Sequence, residues 1–336
     1  MSPRRQSSIP ISSTNSNHSH SDKKTKKLSN EVRLSAYGCT DVGVVRTNNE
    51  DNFLLSDLAT GAQIAGEEIN NQKISKRGTL LVISDGMGGA QAGEVASAMA
   101  VAAVRSELIK SVASRPVEEQ LIKAVQRANY LIWKESQDNS SKSGMGATLT
   151  AVLIRDNKAY IAEVGDSRAY LIRGESILQV TIDQSLVELL ILAGELSREE
   201  AEHAPIKNVI LQAMGTQQEV KVALTGVDLR RSDYLLLCSD GLSNKVTEAE
   251  MLKFTLKASS MEMACKQLIE LAKRRGGEDN ITVIIGQFDG EGLAPQLQDT
   301  HFENSVHSIV SFYPTPDEDS QTPESRTQPL SDPMLG

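Results

Sequence analysis

Two apolar segments of the chain end in the same three residues, Ser-Asp-Gly. Asp85 follows the apolar residues 80–83, and Asp240 follows the apolar residues 234–238. A carboxylate at a strand end, followed by small residues that leave the backbone accessible, can hold a cation beside a phosphate. Either turn alone is equally well explained by an aspartate that caps a helix. Because the pattern occurs twice, we predict that Asp85 and Asp240 belong to one shared site.

Two further acidic turns extend this pattern. Asp166 follows a glycine in a tight turn between two apolar segments, and Asp279 comes just before the apolar residues 281–283. Mg²⁺ and Mn²⁺ prefer carboxylate, carbonyl and water oxygens as ligands. The chain has five histidines, only one of which, His203, lies between the polar ends of the sequence, so a zinc site is not favoured. The four acidic turns therefore predict a magnesium or manganese site.

A loop near the start of the chain, residues 40–51, offers a group that could bind phosphate. It contains Arg46, followed four and five residues later by Glu50 and Asp51. A guanidinium group stays charged and can bind two phosphate oxygens at once. An exposed arginine in a turn is the alternative explanation. With acidic neighbours so close, we predict that Arg46 binds a substrate phosphate.

Composition excludes several other classes of protein. The net charge of −9 argues against nucleic-acid binding. The three cysteines are too few and too scattered for a disulfide framework, which favours a reducing, cytoplasmic compartment. None of them begins the C-x5-R loop of cysteine phosphatases. Glu94 stands where a nucleotide-binding glycine loop needs lysine. No apolar run approaches the roughly 20 residues of a membrane span.

The chain divides into a central domain and two polar ends. Residues 1–33 are rich in Ser, Asn, Lys and His, and we predict that they are disordered. Residues 290–336 are acidic and rich in Pro and Ser, and we predict the same for most of them. Within that end, residues 306–313 are apolar enough to dock on this protein or on another. Residues 34–289 form the predicted central domain, with a polar insertion, an exposed hairpin or loop, at 60–78.

The predicted strands come in consecutive runs and the predicted helices come in pairs. Strands are expected at 34–39, 52–56, 80–83, 147–154, 158–164, 168–172, 220–227, 233–238 and 281–288. Helices are expected at 94–110, 116–137, 185–193, 197–203, 247–255 and 261–275. Because strands and helices do not alternate, a parallel doubly wound sheet is not favoured. The order predicts an α+β fold in which antiparallel sheets are covered by helix pairs.

The chain closely resembles the metal-dependent protein phosphatases of type 2C in their compact bacterial-like form. Six motifs carry the resemblance in the order of the family: Arg46-Thr-Asn-Asn-Glu50-Asp51-Asn, Ser84-Asp85-Gly86-Met87-Gly88-Gly89, Gly144-Met145-Gly146-Ala147-Thr148, Val164-Gly165-Asp166-Ser167-Arg168, Ser239-Asp240-Gly241-Leu242 and Asp279-Asn280. The resemblance covers about 250 residues. It implies a four-layer α-β-β-α sandwich with two Mg²⁺ or Mn²⁺ ions at one end, and a weaker third ion.

The resemblance also implies a role for each site residue. Asp85 would bridge both metals, the Gly86 carbonyl would bind one of them, and Asp240 and Asp279 would hold the other. Asp51 would be a ligand acting mainly through water, with Glu50 in the outer shell. Asp166 would serve the third metal together with Asp240, and Arg46 would bind the substrate phosphate. The catalytic residues are then Arg46, Asp85 and Asp240.

The activity implied is hydrolysis of phosphoserine and phosphothreonine in proteins, by direct attack of a water activated by two metals. The substrates would be phosphoproteins made by a serine/threonine kinase, and the enzyme would be a monomer. The alternative is a catalytically weak phosphatase fold that binds phosphoproteins as a regulatory or scaffold module. Such a module would be expected to lose metal carboxylates, whereas this chain keeps Asp85, Asp240 and Asp279.

The chain departs from the family pattern at several positions. Met87 stands where many eukaryotic relatives have a histidine that could protonate the leaving group, and Ala147 replaces a common threonine. Gln184 and Ala204 stand where the segments Asp-His-Ser and His-Pro are usual. Gln184 directly precedes residues 185–215 and Ala204 lies within them, and the resemblance implies that these residues are the flap that helps to choose substrates. We expect these departures to affect substrate preference more than catalysis.

Overall fold

The computed structural model describes residues 31–60, 68–88, 92–112, 114–296, 302 and 304–313. The predicted disorder of residues 1–30 and of residues 314–336 lies outside these ranges. Among the helices of the described residues, none combines the length and the apolar character that crossing a bilayer requires.

The strands of the described residues are β1 (Arg33–Asp41), β2 (Asn52–Asp57), β3 (Glu68–Lys73), β4 (Thr79–Ser84), β5 (Gly86–Met87), β6 (Gly146–Ala147), β7 (Leu149–Arg155), β8 (Lys158–Val164), β9 (Arg168–Arg173), β10 (Ser176–Gln179), β11 (Ala223–Asp228), β12 (Tyr234–Cys238), β13 (Ile281–Asp289) and β14 (Val306–Val310). The α-helices are α1 (Ala92–Lys110), α2 (Val117–Asp138), α3 (Leu186–Leu192), α4 (Arg198–His203), α5 (Asp240–Ser243), α6 (Glu248–Lys257) and α7 (Met261–Arg274).

Two antiparallel sheets lie face to face between two pairs of helices. The first sheet has the strand order β10-β9-β12-β13-β1-β3, and the second has the order β14-β11-β8-β7-β4-β2. Helices α1 and α2 pack on the second sheet, and α6 and α7 pack on the first. The predicted α+β fold with four layers is confirmed.

The core consists of three apolar layers, and β4 shows how the sequence builds them. Leu80 and Val82 pack towards α1 and α2, while Leu81 and Ile83 pack between the two sheets. Successive residues of a strand point to opposite faces, so a strand covered on both sides must be apolar at every position. A third layer fills the space between the first sheet and α6 and α7.

The polar insertion predicted at 60–78 contains a strand that the sequence pattern did not reveal. Strand β3 pairs with β1 at the edge of the first sheet, and its one buried side chain is Ile69. An edge strand that buries a single side chain shows no clear alternation. Strand β10, at the other edge of that sheet, was also not predicted, and its residues are only half-buried.

The fold continues beyond the predicted domain end at residue 289. Residues 306–313, which we expected to dock, lie on this chain itself, where β14 pairs with β11 at the edge of the second sheet. The ring of Tyr313 is buried. Helix α2 begins at Val117, one residue later than predicted, and Pro116 is its N-cap.

Candidate metal centre

The acidic turns meet at one end of the sandwich because of the strand pairing. Within the second sheet, the end of β4 lies beside the start of β2, so Asp85 and Asp51 are neighbours. Within the first sheet, the end of β12 lies beside the start of β13, which brings Asp240 close to Asp279. Because the two sheets stack face to face, the two pairs of aspartates lie together at the same end of the sandwich.

A cavity of about 320 Å³ lies at this place. It is lined by residues from the loop after β1, the segment between β4 and α1, the β8–β9 turn, the flap and the turn before β13. They are Arg46, Glu50, Asp85, Gly86, Met87, Gly88, Thr148, Asp166, Asn208, Ile210, Asp240, Asp279 and Asn280. The predicted site residues are therefore gathered around one cavity, except Asp51, which does not line it.

Asp51 lies beneath the cavity and joins the two sheets. Its Oδ2 accepts hydrogen bonds from Ser239 Oγ at 2.7 Å and from Thr282 Oγ1 at 2.6 Å. Its Oδ1 is buried and has no hydrogen-bond partner among the described residues. Burial raises the pKa of Asp51 to about 7, against the lowering effect of the two hydroxyl groups. One carboxylate oxygen is thus fixed by the fold, and the other remains available to a ligand.

Asp85 is held by Thr148 across the gap between β4 and β7. The Asp85 N–H donates to Thr148 Oγ1 at 3.0 Å, and the Thr148 N–H donates to the Asp85 carbonyl at 2.8 Å. Burial raises the pKa of Asp85 well above its usual range, and the negative charges of Asp51 and Asp240 raise it further. The backbone of Asp85 is therefore rigid, and its carboxyl group lies among like charges.

Asp240 begins the short helix α5 and has one hydrogen-bonded oxygen. Its Oδ2 accepts a hydrogen bond from Asn244 Nδ2 at 3.1 Å. Its Oδ1 is buried and has no hydrogen-bond partner among the described residues. Burial raises the pKa of Asp240, and the neighbouring charge of Asp279 adds to this effect. In the β8–β9 turn, burial and then the charge of Asp240 raise the pKa of Asp166 to about 7.

These groups fit divalent cations with a preference for oxygen. Among the described residues, two buried carboxylate oxygens of this site, Asp51 Oδ1 and Asp240 Oδ1, have no hydrogen-bond partner, although buried polar atoms are almost always paired. Acids that raise one another's pKa would gain most from a positive charge placed between them. Within the described ranges, no three acidic, histidine or cysteine side chains already converge on one point as a complete ligand set. Binding would therefore require these carboxylates to adjust their positions.

Two glycines allow the backbone to pack tightly beside Asp85. A Cβ atom on Gly86 would lie 2.2 Å from the carbonyl oxygen of Gly93 and 2.6 Å from that of Glu50. A Cβ atom on Gly93 would lie 2.0 Å from Glu50 Oε2. The Gly86 N–H donates to the Glu50 carbonyl at 3.2 Å. Glu50 is therefore fixed directly beside the predicted metal ligands, and burial raises the pKa of its carboxyl group.

Arg46 lies at the rim of the cavity and contacts a predicted metal ligand. Its Nη2 is 2.9 Å from Asp279 Oδ2, and its Nε donates to the Glu278 carbonyl at 3.3 Å. The side chain is 51% exposed, so part of the guanidinium group faces solvent. The ion pair orients Arg46 beside the cavity and partly neutralises Asp279.

The sequence did not assign a role to three residues of the site. Asn280 Nδ2 donates to the carbonyls of Val42 and Asn48, and its Oδ1 accepts from the Glu50 N–H at 2.8 Å. This single side chain thus fixes the loop that carries Arg46 and Glu50, and its place directly after Asp279 was the only signal for it. Asn208 and Ile210 line the cavity from the flap, and no local pattern indicates this.

Several known proteins are similar in sequence to this chain. A family model described as protein phosphatase 2C matches residues 68–273. The chain is 38% identical over 253 residues to the serine/threonine phosphatase stp of Listeria monocytogenes serotype 4b (strain F2365). The aligned residues make up 74% of this chain and 94% of that protein. It is 36% identical over 255 residues to the protein phosphatase PhpP of Streptococcus pneumoniae (strain ATCC BAA-255 / R6), and the alignment covers 75% of this chain and 96% of that protein.

Solved structures are similar over the same part of the chain. The serine/threonine phosphatase PstP/Ppp of Mycobacterium tuberculosis superposes with a TM-score of 0.65 at 34% identity, over 76% of this chain and 99% of that one. The catalytic domain of the phosphatase PstP, solved in complex with two manganese ions, gives a TM-score of 0.64 at 33% identity, over 77% of this chain and 99% of that one.

Proposed function

This chain belongs to the protein phosphatase 2C family, and from that premise we propose how its residues hydrolyse phosphoproteins. It is a metal-dependent protein-serine/threonine phosphatase, as its named relatives are. The observation that supports its cavity as the active site is the pair of buried, unpartnered oxygens of Asp51 and Asp240. The binding-only alternative has no comparable observation in its favour.

The cofactors are two Mg²⁺ or Mn²⁺ ions. We propose that Asp85, the Gly86 carbonyl, Asp240 and Asp279 hold them, while Asp166 and Asp240 provide a weaker third position. When bound, the two ions supply an activated water nucleophile near neutral pH and offset negative charge on the phosphoryl oxygens. Asp51 would lie behind these ligands and would contact the metal ions mainly through water. Its fixed Oδ2 keeps the free Oδ1 in place.

The other residues of the cavity would bind the phosphate and fix the geometry. Arg46 would bind the substrate phosphate, since its guanidinium group is half-exposed and has N–H groups beyond those that contact Asp279 and Glu278. Asn280 would keep the Arg46 loop in place through its three hydrogen bonds. Met87 lines the cavity but has no proton to give. Protonation of the leaving serine or threonine oxygen would therefore fall to water.

The substrates are proteins that carry phosphoserine or phosphothreonine, as the names of the relatives indicate. We propose that these are products of a serine/threonine kinase, and that the enzyme acts as a monomer in the cytoplasm. The three cysteines support a reducing compartment, because all of them are free and buried in the described structure. We propose residues 34–289 as the catalytic domain, to whose second sheet the later segment adds β14 as an edge strand.

Hydrolysis of p-nitrophenyl phosphate by the full chain tests the proposal. We expect turnover with Mn²⁺ or Mg²⁺, and no turnover with EDTA. Restoring Mn²⁺ after EDTA should restore the rate, which separates metal loss from denaturation. Hydrolysis that is unaffected by EDTA, or absent with both metals, would contradict the proposed function.

A further inference from the structure

We propose that residues 304–313 form an intramolecular strap that positions the flap, residues 185–215, beside the candidate metal centre, with Tyr313 as the positioning residue. The proposal rests on the proposed function, because the flap matters only if the cavity binds a phosphoprotein. It assigns a role in substrate binding to a segment that lies beyond the last strand of the first sheet.

The first end of the strap is anchored in the core. Ser305 Oγ accepts a hydrogen bond from the buried Arg173 Nη1 at 2.7 Å, and the Ser305 carbonyl accepts one from the Asp228 N–H at 2.8 Å. Strand β14 then runs antiparallel to β11, with Val306 opposite Val227. Because buried polar contacts and strand pairing hold this segment in place, the residues that follow it, 311–313, start from a fixed position.

The second end of the strap reaches the base of the flap. The hydroxyl oxygen of Tyr313 lies 2.7 Å from the carbonyl oxygen of Asp183 and 3.1 Å from that of Ser185, so its single proton can serve either acceptor. The ring is buried and packs edge-on against Phe312, with centroids 5.0 Å apart. Tyr313 therefore binds the backbone on both sides of Gln184.

That stretch of backbone connects directly to the cavity. The Asp183 carboxylate forms an ion pair with Arg168, which lies two residues after Asp166. Ser185 caps α3 and forms an isolated antiparallel bridge with Ile210, whose side chain lines the cavity. Residues 183–185 are thus linked to the flap wall of the cavity at Ile210, whereas the ion pair with Arg168 holds Asp183 against the start of β9.

The strap also reaches the segment where the flap ends. Lys221 Nζ donates to the Phe312 carbonyl at 2.9 Å, and the Lys221 backbone exchanges two hydrogen bonds with the side chain of Gln212. Gln212 Nε2 donates to Gln184 Oε1 at 2.9 Å, and the same oxygen accepts from the Gly165 N–H at 3.0 Å. The two ends of the flap are thereby tied to each other, to the Asp166 turn and to the strap.

The flap has a surface suited to a polypeptide rather than to a small phosphate ester. Its exposed apolar side chains, Leu189, Leu192, Val209 and Leu211, are between 38% and 53% exposed. A protein substrate would contact these side chains in addition to the cavity, whereas p-nitrophenyl phosphate would occupy the cavity alone. The strap should therefore affect the binding of protein substrates more than the chemistry.

The test compares Tyr313→Phe with Tyr234→Phe in the full chain. Tyr234 is the matched control, because its hydroxyl accepts a hydrogen bond from Gln287 on β13, away from the flap. With Mn²⁺ present, we expect Tyr313→Phe to raise KM for a phosphothreonine peptide by about three- to tenfold, the effect of one lost hydrogen bond. Its kcat and its KM for p-nitrophenyl phosphate should change by less than about twofold. Equal effects of the two variants would overturn the proposal.

Amide hydrogen exchange gives a second measurement that does not require activity. The Leu186 N–H donates to the Val209 carbonyl and the Leu211 N–H donates to the Gln184 carbonyl, so both amides report on the flap base. They should exchange faster in Tyr313→Phe than in the wild type or in Tyr234→Phe. Unchanged exchange of these two amides in Tyr313→Phe would overturn the proposal that residues 304–313 position the flap. A wild-type protein that fails to hydrolyse p-nitrophenyl phosphate would instead overturn the proposed function and leave the exchange result standing.

Discussion

The two ends of β12 carry aspartates in opposite situations. At its start, Asp233 is fully buried and paired: Arg173 donates to both carboxylate oxygens, at 2.9 and 2.7 Å, and the Arg230 N–H adds a third contact at 2.7 Å. At its end, the carboxylate of Asp240 accepts one hydrogen bond, from Asn244, lies against the acid Asp85, and has a buried oxygen without a hydrogen-bond partner among the described residues. The same strand thus holds one carboxylate that the fold satisfies and one that it does not.

The difference separates a structural role from a functional one. Burying a charge is costly unless it is paired and hydrogen-bonded, and Arg173 meets that requirement for Asp233. Among the described residues, the aspartates around the cavity form one ion pair, the exposed pair of Asp279 with Arg46, and Arg168, which is paired with Asp183, acts on Asp166 and Asp240 only through its charge. Buried atoms without a hydrogen-bond partner also occur elsewhere among the described residues, at Glu163 Oε1 for example, but Asp51 and Asp240 are neighbouring acids beside one cavity, as expected of a functional site. The unpaired end of β12 is therefore the end that requires a ligand.

The largest expected effect comes from Asp240→Asn at the unpaired end. We expect kcat to fall by about a thousandfold or more, because an amide cannot replace an anionic metal ligand. The free energy of unfolding in EDTA should stay the same or rise, since the change removes a charge that repels Asp279. Steady-state kinetics with Mn²⁺ and urea denaturation measure the two quantities. A large loss of stability with preserved kcat would reverse the assignment of the two ends.

A change at the paired end of β12 should lower stability and leave catalysis intact. Arg173→Met leaves Asp233 buried without its cation, and we expect the free energy of unfolding to fall by about 3 to 5 kcal/mol in urea denaturation. Adding Asp233→Leu to that variant should restore part of the loss, because the uncompensated charge is then removed. Folded Arg173→Met protein should keep kcat for p-nitrophenyl phosphate. A loss below about 1 kcal/mol would show that the pair contributes little.

The pH dependence of stability in EDTA should come from the unpaired carboxyl groups. The pKa of Asp51 is raised to about 7 in the folded protein, so the native state holds this proton more tightly than the unfolded state does. The stabilising contribution is complete below the ordinary pKa near 4 and is lost as the pH rises to about 7. The slope should reach about 1.4 kcal/mol per pH unit for this group. Urea denaturation of Asp51→Asn should show a flatter profile, and parallel profiles would contradict the prediction.

The smallest effect is expected at the rim, where Arg46 is half-exposed. Arg46→Ala should raise KM for p-nitrophenyl phosphate by about tenfold and change kcat by less than about threefold, because it removes substrate binding rather than the nucleophile. Arg46→Lys should recover part of the loss, since lysine keeps the charge but lacks the bidentate geometry. An unchanged KM would count against phosphate binding by Arg46.

The sequence could predict the parts of the site that have local signals. Asp85, Asp240, Asp166 and Asp279 each lie in a short turn beside an apolar strand, and the structure gathers all four around one cavity. The layered α+β fold followed from the order of strands and helices. Asp51 was harder to interpret, because its position beneath the cavity depends on hydroxyl groups 188 and 231 residues away.

The features that escaped sequence analysis depend on contacts between distant segments. The periodicity of a segment reports its own burial, not the identity of its partner. Ile210 reaches the cavity because it pairs with Ser185, and Tyr313 reaches the flap base across about 130 residues of chain. Strand β3 was hidden because an edge strand with one buried side chain resembles a polar loop.

Anomalous diffraction from crystals of this protein grown with Mn²⁺ would test the central claim most directly. We predict two strong manganese peaks inside the cavity, with the carboxylate of Asp85 in contact with both and that of Asp240 in contact with one. The Asp240→Asn variant should lose one or both peaks. Manganese bound only elsewhere on the surface, with Asp85 and Asp240 in contact with no ion, would contradict the account.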